Sequence, residues 1–175
     1  AFKIAGARAE EGGNLDEVTA AARKAADACR SIGFALTSCI VPMAGRPTFT
    51  LADDEMEMGM GIHGEPGIWR DKLKPADAVT DEMLDRLLED SGIGKGERVS
   101  VLVNSLGATP LEELYIVYRR VHARLSGTGI DIVAPLVGRY ATSMEMAGVT
   151  LTFCRLDGEL ERLLKVPCDC PFWRN

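Results

Sequence analysis

Apolar and polar residues follow two different periods along the chain, and these periods predict helices and strands in mixed order. Apolar residues recur at helical spacing in four segments: residues 14–32, 80–91, 109–125 and 159–164. Thr80 is the predicted start of the second helix. Strand-like segments, several with strict alternation, lie between them: residues 34–41, 98–106, 130–140 and 149–154. Only some of the connections are helical, so a purely parallel sheet is not expected. The order predicts an α/β fold in which a mixed β-sheet is flanked by helices in a single domain.

Polar residues at two helix starts sharpen these boundaries. Asn14, followed by Glu17, forms the pattern of a capping box. Thr109 is the predicted cap of a later helix, with Pro110 in the first helical position and Glu112 closing a second capping box.

The most unusual stretch, residues 56–67, places two glycines and a histidine on one side of a predicted strand. One face would carry Met56, Met58, Met60 and Ile62, and the other Glu57, Gly59, Gly61 and His63. Interior glycines weaken a strand and often mark the close approach of a ligand or of another backbone. With a turn over residues 65–67, the pattern predicts an imidazole at a strand end above a glycine-lined floor. A structural histidine beside glycines of a bulge fits the same pattern.

Composition excludes several classes of protein. The chain has 175 residues, a net charge of -6 and 46% hydrophobic residues, which suits one globular domain and argues against binding to nucleic acids or anionic membranes. No apolar run is long enough to span a bilayer, and no secretion signal is evident. The five cysteines are therefore interpreted as reduced thiols, and a cytoplasmic protein is expected.

No metal site is predicted. The acidic cluster Asp53, Asp54, Glu55 and Glu57 could attract a cation, but a solvated rim is the commoner use of such a cluster. His63-Gly64-Glu65 and the cysteines of residues 167–170 resemble the two halves of a zinc deaminase motif. The cysteines are one residue too close, and the proline after Glu65 prevents a helix there.

Neither a nucleotide site nor a second reactive histidine is predicted. Residues 107–112 lead from a strand into a helix start, which can bind anions, but the phosphate-loop sequence is missing and Glu112 and Glu113 would repel an anion. His122 is placed near a helix C-terminus, where a cation is favoured.

Four segments together resemble one family, the substrate-binding subunit of dihydroxyacetone kinases: residues 2–6, 38–42, 55–67 and 104–109. The most specific is Gly61-Ile62-His63-Gly64-Glu65-Pro66-Gly67. The resemblance implies that residues 1–175 are the C-terminal α/β domain of such a subunit, with the N-terminal half absent. It also implies that His63 binds dihydroxyacetone, or a similar short-chain ketose, covalently as a hemiaminal.

The resemblance further implies how the ketone becomes dihydroxyacetone phosphate. The phosphoryl donor, Mg-ATP or an ADP that a phosphotransferase re-phosphorylates, would be held by a separate helical domain or subunit. This chain would hold no cofactor, would be inactive alone and would form part of a homo-oligomer. Two alternatives remain open: a ketone-sensing co-activator without kinase activity, and a kinase for a four-carbon keto-sugar.

Overall fold

The computed structural model describes residues 1–62, 67–171, 173 and 174. Its helices are α1 (Phe2–Glu10), α2 (Leu15–Asp27), α3 (Ala76–Ser91), α4 (Leu111–Leu125) and α5 (Gly158–Lys165). Its strands are β1 (Cys29–Ala35), β2 (Glu55–Met58), β3 (Trp69–Lys72), β4 (Arg98–Ser105), β5 (Asp131–Ile132), β6 (Leu136–Gly138), β7 (Gly148–Leu156), β8 (Asp169–Cys170) and β9 (Trp173–Arg174).

Seven strands form one mixed sheet in the order β3-β2-β1-β7-β4-β5, with β6 also paired to β4. β4 runs parallel to β5 and β6 and antiparallel to β7, while β1 is antiparallel to both β7 and β2. The predicted fold class, a mixed sheet with flanking helices, is confirmed.

The main core lies between one face of the sheet and helices α3 and α4. Alternate residues of the central strands point to this side and are fully buried: Val99, Val101, Val103, Leu151 and Phe153. The apolar stripes of both helices pack on them, because residues three and four apart share a helix face. Arg120 of α4 binds Asp81 of α3 through two hydrogen bonds of 2.6 and 2.8 Å on the outer side of this layer.

The described residues cover the opposite face of the sheet only in part. Helices α1, α2 and α5 pack together over one end of it, around Ile4, Ala21, Ala25, Leu160 and Leu163. Polar residues and glycines of the central strands occupy the middle of this face, and the cavities described below border it. The first cavity also extends past β1 to α3.

Several predicted boundaries were wrong. The first predicted helix and the strand after it are displaced, since α2 ends at Asp27 and β1 already begins at Cys29. Helix α1, strand β3 and the β8–β9 hairpin were missed. The capping box of Asn14 and Glu17 is confirmed, with hydrogen bonds of 3.0 and 2.9 Å.

Thr80 does not begin a helix. It lies inside α3, which begins at Ala76, and its hydroxyl donates to the Ala76 carbonyl at 2.7 Å. Within the described ranges, no helix combines the length and the apolar character needed to cross a membrane.

Candidate functional site

The glycine-rich segment leaves the sheet earlier than its alternation predicts. Strand β2 ends at Met58, and Gly59 adopts a left-handed backbone with φ of 79°. A Cβ atom at Gly59 would lie 2.4 Å from the side chain of Ile68, so a larger residue here would strain the backbone and force Ile68 to shift. The predicted single apolar face is therefore split. Met56 and Met58 enter the main core, whereas Met60 packs in a separate cluster beside Leu106 and Met146.

A buried carboxylate joins the two ends of this segment. Glu57 is 6% exposed, and its Oε1 accepts a hydrogen bond from the Gly67 N–H at 2.7 Å. Its Oε2 accepts from Arg70 Nε at 3.1 Å, which supplies the positive charge that a buried carboxylate needs. The Ile68 N–H adds a bond of 2.6 Å to the Met58 carbonyl. The chain therefore leaves and re-enters the sheet at one clamped point.

His63, Gly64, Glu65 and Pro66 lie outside the described residues, so the predicted turn and the predicted position of the imidazole are not described. The residues on both sides of them are. Gly67 fits so closely against the clamp that a Cβ atom there would lie 2.5 Å from both Glu57 Cγ and the Met58 carbonyl oxygen.

A cavity of about 800 Å³ lies beside this segment. Strand β2 pairs with β1 only at Phe34 and Ala35, so the earlier part of β1 borders the cavity. Residues 59–62 line it from the segment that leads to His63, and α3 contributes Arg86, Glu89 and Asp90. The open face of the sheet supplies Ser31, Gly33, Leu102, Asn104, Thr150 and Thr152.

The polar residues of this sheet face hold one another in place. Ser31 and Thr152 face each other on neighbouring strands, with their hydroxyl oxygens 2.7 Å apart. The Asn104 amide donates to the Ala141 carbonyl at 2.7 Å and accepts from the Tyr140 and Ala141 N–H groups at 2.8 and 2.9 Å. Asn104 is thus an anchor for the loop after β6 and gives the cavity a fixed polar wall.

The predicted start of α4 is corrected by the structure. Pro110 occupies the cap position, and no side chain in the described part of the chain caps the helix. The Thr109 hydroxyl instead donates to the Gly148 carbonyl and accepts from the Gly148 N–H, both at 2.8 Å. The Thr109 hydroxyl is therefore occupied by Gly148 of β7 and cannot cap the N-terminus of α4. Glu112 and Glu113 do lie in the first turn, where their charges oppose anion binding.

The acidic cluster divides into two kinds of residue. Asp54 is exposed and pairs with Lys72 at 2.8 Å, and this hydrogen bond lowers the pKa of the Asp54 carboxyl. The sequence predicted that Glu57 belongs to a solvated rim. This was wrong, because Glu57 is buried and forms the clamp. In the described ranges, no three His, Cys, Asp or Glu residues come together in a way that could hold a metal ion.

His122 lies in the last turn of α4, as predicted, and is exposed. Its carbonyl accepts from the Ser126 N–H at 2.9 Å and the Ser126 hydroxyl at 2.7 Å. It does not line the cavity. The roles of Glu57 and Arg70 were missed, because a polar residue in an alternating strand gives no indication of which backbone group it binds.

Known proteins share this arrangement over almost the whole chain. The family model described as the Dak1 domain matches residues 1–172. The dihydroxyacetone-binding subunit DhaK of PTS-dependent dihydroxyacetone kinase 2 from Listeria innocua serovar 6a is 47% identical over 173 residues, which cover 99% of this chain and 52% of that protein. The chain spans about half the length of such subunits.

Two solved structures are also similar. The dihydroxyacetone kinase operon co-activator Dha-DhaQ has a TM-score of 0.85 and 34% identity, over 94% of this chain and 51% of that one. The dihydroxyacetone kinase from C. freundii, solved in complex with AMP-PNP and Mg²⁺, has a TM-score of 0.73 and 33% identity, over 92% of this chain and 29% of that one. The chain therefore belongs to the Dak1 domain family.

Proposed function

We propose that residues 1–175 are the C-terminal half of a dihydroxyacetone-binding kinase subunit and that His63 binds the ketone covalently. The observation that carries the proposal is the clamped glycine-rich segment, which leads to His63 directly from the residues lining a cavity of about 800 Å³. The similarity to a dihydroxyacetone-binding subunit at 47% identity supports the choice of ligand.

The chemistry needs only a neutral imidazole and an electrophilic carbon. A ring nitrogen of His63 adds its lone pair to the carbonyl carbon, so that a C–N bond forms and the C=O π bond opens. The proton on the other ring nitrogen leaves, and the former carbonyl oxygen gains one to become a hydroxyl. The product is a neutral hemiaminal, and the ketone is released by the reverse steps.

The tether would serve phosphoryl transfer by holding a terminal hydroxyl of the ketone in place. Phosphoryl transfer depends on positioning and on charge stabilisation around the donor. We assign the donor, Mg-ATP or a phosphotransferase-charged ADP, to a separate helical domain or subunit. The isolated 175 residues should therefore show no turnover with ketone and Mg-ATP, and measurable product would contradict this assignment.

We also propose that the intact subunit is a cytoplasmic homo-oligomer. Sedimentation of the full-length protein at micromolar concentration measures its mass directly. A monomer at that concentration would contradict the proposal.

A ketone-sensing co-activator is the second candidate function, and the TM-score of 0.85 with the co-activator structure favours it. Both candidates bind a ketone, so binding does not separate them. The two candidates are separated by a phosphorylation assay of the full-length protein together with the nucleotide-bearing domain or subunit. The same assay with erythrulose in place of dihydroxyacetone tests a four-carbon substrate.

The proposal is tested by competition between dihydroxyacetone and glycerol in the full-length protein. Glycerol has the same carbon skeleton but no electrophilic carbon, and a pocket that relies on shape alone separates such analogues by only about a hundredfold. Replacing His63 with Asn keeps a polar side chain and removes the nucleophile. We expect ketone affinity to fall much more than glycerol affinity.

His122→Asn is the matched control, because it makes the same substitution at an exposed helical position outside the cavity. The control should keep the wild-type preference, and circular dichroism should show both variants folded. An unchanged preference in the folded His63→Asn protein would refute the covalent role of His63.

A further inference from the structure

Two cysteines face each other across neighbouring strands on the open face of the sheet. Cys29 begins β1, and its Cα partner in the antiparallel β7 is Cys154. Both thiols are free, and both side chains are half-buried. Neither residue has a part in the proposed ketone chemistry.

The hydrogen-bond pattern shows which kind of pair they form. In the preceding pair, the Arg155 N–H donates to the Ala28 carbonyl at 2.9 Å. Since hydrogen-bonded and non-hydrogen-bonded pairs alternate along antiparallel strands, Cys29 and Cys154 form a non-hydrogen-bonded pair. In such pairs the Cα atoms lie about 4.5 Å apart, which falls within the range that a disulfide bridges.

The next non-hydrogen-bonded pair in the same row shows that side chains do meet here. Ser31 and Thr152 lie two residues further along the same two strands, and their oxygens are 2.7 Å apart. Cys29 and Cys154 occupy the same kind of position in the same two strands, so the strand geometry places their side chains beside each other as well.

The two thiols are not chemically equivalent. Interaction with the Cys154 thiol lowers the pKa of the Cys29 thiol to about 7, and the same interaction raises the pKa of Cys154. Because the thiolate is the reactive form, Cys29 is the better nucleophile at neutral pH.

A small oxidant has a route to the pair. Both residues line a second cavity, of about 880 Å³, beneath α1. Cys168 and Cys170 line this cavity too, whereas the fifth cysteine, Cys39, is buried in a different cluster.

We propose that Cys29 and Cys154 form a cross-strand dithiol that hydroperoxides oxidise to a reversible disulfide. The Cys29 thiolate attacks a peroxide oxygen, so that an S–O bond forms, the O–O bond breaks and one water or alcohol leaves. The Cys154 thiol then attacks the Cys29 sulfur, which forms the S–S bond and releases water. In total the two thiols lose two protons and two electrons, and the peroxide is reduced.

The test is hydrogen peroxide treatment of the fully reduced protein, followed by thiol titration and peptide mapping by mass spectrometry. We expect two thiols to disappear, and a dithiothreitol-sensitive link to join the peptide containing Cys29 to the peptide containing Cys154. Loss of no thiols, or a link between any other pair, would overturn the proposal.

Two variants separate the roles within this cavity. The double variant Cys168→Ser/Cys170→Ser is the matched control and should still form the link, because it leaves the strand pair intact. Cys154→Ser should stop the reaction at a Cys29 sulfenic acid that dimedone traps. A control variant that loses the link, or a Cys154→Ser protein without the dimedone adduct on Cys29, would contradict the assignment.

Discussion

The two faces of the central sheet have opposite characters. The face under α3 and α4 is apolar, with Val99, Val101, Val103, Leu151 and Phe153 fully buried. The other face carries serine, threonine, asparagine, cysteine and glycine in its middle, and these residues line both cavities. The same strands build both faces, because successive side chains point to opposite sides.

This difference separates stability from chemistry. Burying apolar surface is the main source of folding free energy, and one face of the sheet is devoted to it. The polar face gives up that stabilisation. In return it offers room for ligands, hydrogen-bonding groups and the attachment point of the glycine-rich segment.

The largest expected effect comes from truncating the apolar face. Phe153→Ala should lower the free energy of unfolding by about 3–5 kcal/mol, because Phe153 is fully buried and a cavity would remain. Its neighbour Thr152 points to the other face, and Thr152→Ala should cost only about 1 kcal/mol, the worth of its bond to Ser31. Urea unfolding measures both, and equal losses would contradict the division between the faces.

The next effect concerns the clamp on the polar face. Glu57→Ala leaves the Gly67 N–H and Arg70 without their carboxylate and should cost about 2–3 kcal/mol in urea unfolding. Ketone affinity of the full-length protein should also fall, because the segment carrying His63 loses its fixed ends. Glu55→Ala is the matched control: its carboxylate lies at 3.7 Å from Lys72, near the surface. Unchanged ketone affinity in folded Glu57→Ala protein would refute the positioning role.

A smaller effect tests the junction between β7 and the start of α4. Thr109→Val keeps the shape of the side chain but removes both hydrogen bonds to Gly148, at a cost of about 1–2 kcal/mol in urea unfolding. Thr109→Ser keeps the hydroxyl and should be close to wild type. If Thr109 were a helix cap, Thr109→Asn would also be well tolerated. We expect it to destabilise, because the longer side chain does not fit beside Gly148.

The smallest effect lies on the outer surface of the helical layer. Hydrogen bonds from Arg120 lower the pKa of Asp81 below its usual value of 3.8. A lowered pKa in the folded state means that the pair stabilises the protein above pH 3.8 and that this contribution is lost as the pH falls through the folded-state pKa. Asp81→Asn should therefore cost up to ~1 kcal/mol at neutral pH, and the difference from wild type should vanish in strong acid. A difference that persists there would contradict the ionic origin.

The apolar face was the part of the fold that the sequence predicted best. Strict alternation over β4 and β7 leaves only one arrangement in which the valines of β4 and the leucine and phenylalanine of β7 are buried together. The early strand was harder, because the last turn of α2 runs into β1 with only Ala28 between them. Cys29 fits the apolar stripe of the helix as well as it fits the strand.

The polar face could be predicted only in part. The glycines beside His63 indicated close approach, and Gly59 and Gly61 do line a cavity. The end of β2 at Gly59 could not be predicted, since alternation continues in the sequence after the backbone has turned. Glu57, Thr109 and Asn104 each bind backbone groups, and those of Thr109 and Asn104 lie more than thirty residues away. Backbone groups carry no sequence identity, so no pattern of residues reveals such contacts.

The central claim is that the ketone forms a bond to His63 in the full-length protein, and the bound carbonyl carbon reports on it directly. Carbon NMR of dihydroxyacetone labelled with ¹³C at the carbonyl distinguishes a trigonal ketone from a tetrahedral hemiaminal. We predict a tetrahedral carbon resonance in the wild-type complex that is absent in His63→Asn and present in His122→Asn. A bound ligand whose labelled carbon remains a ketone in the wild-type protein would contradict the account.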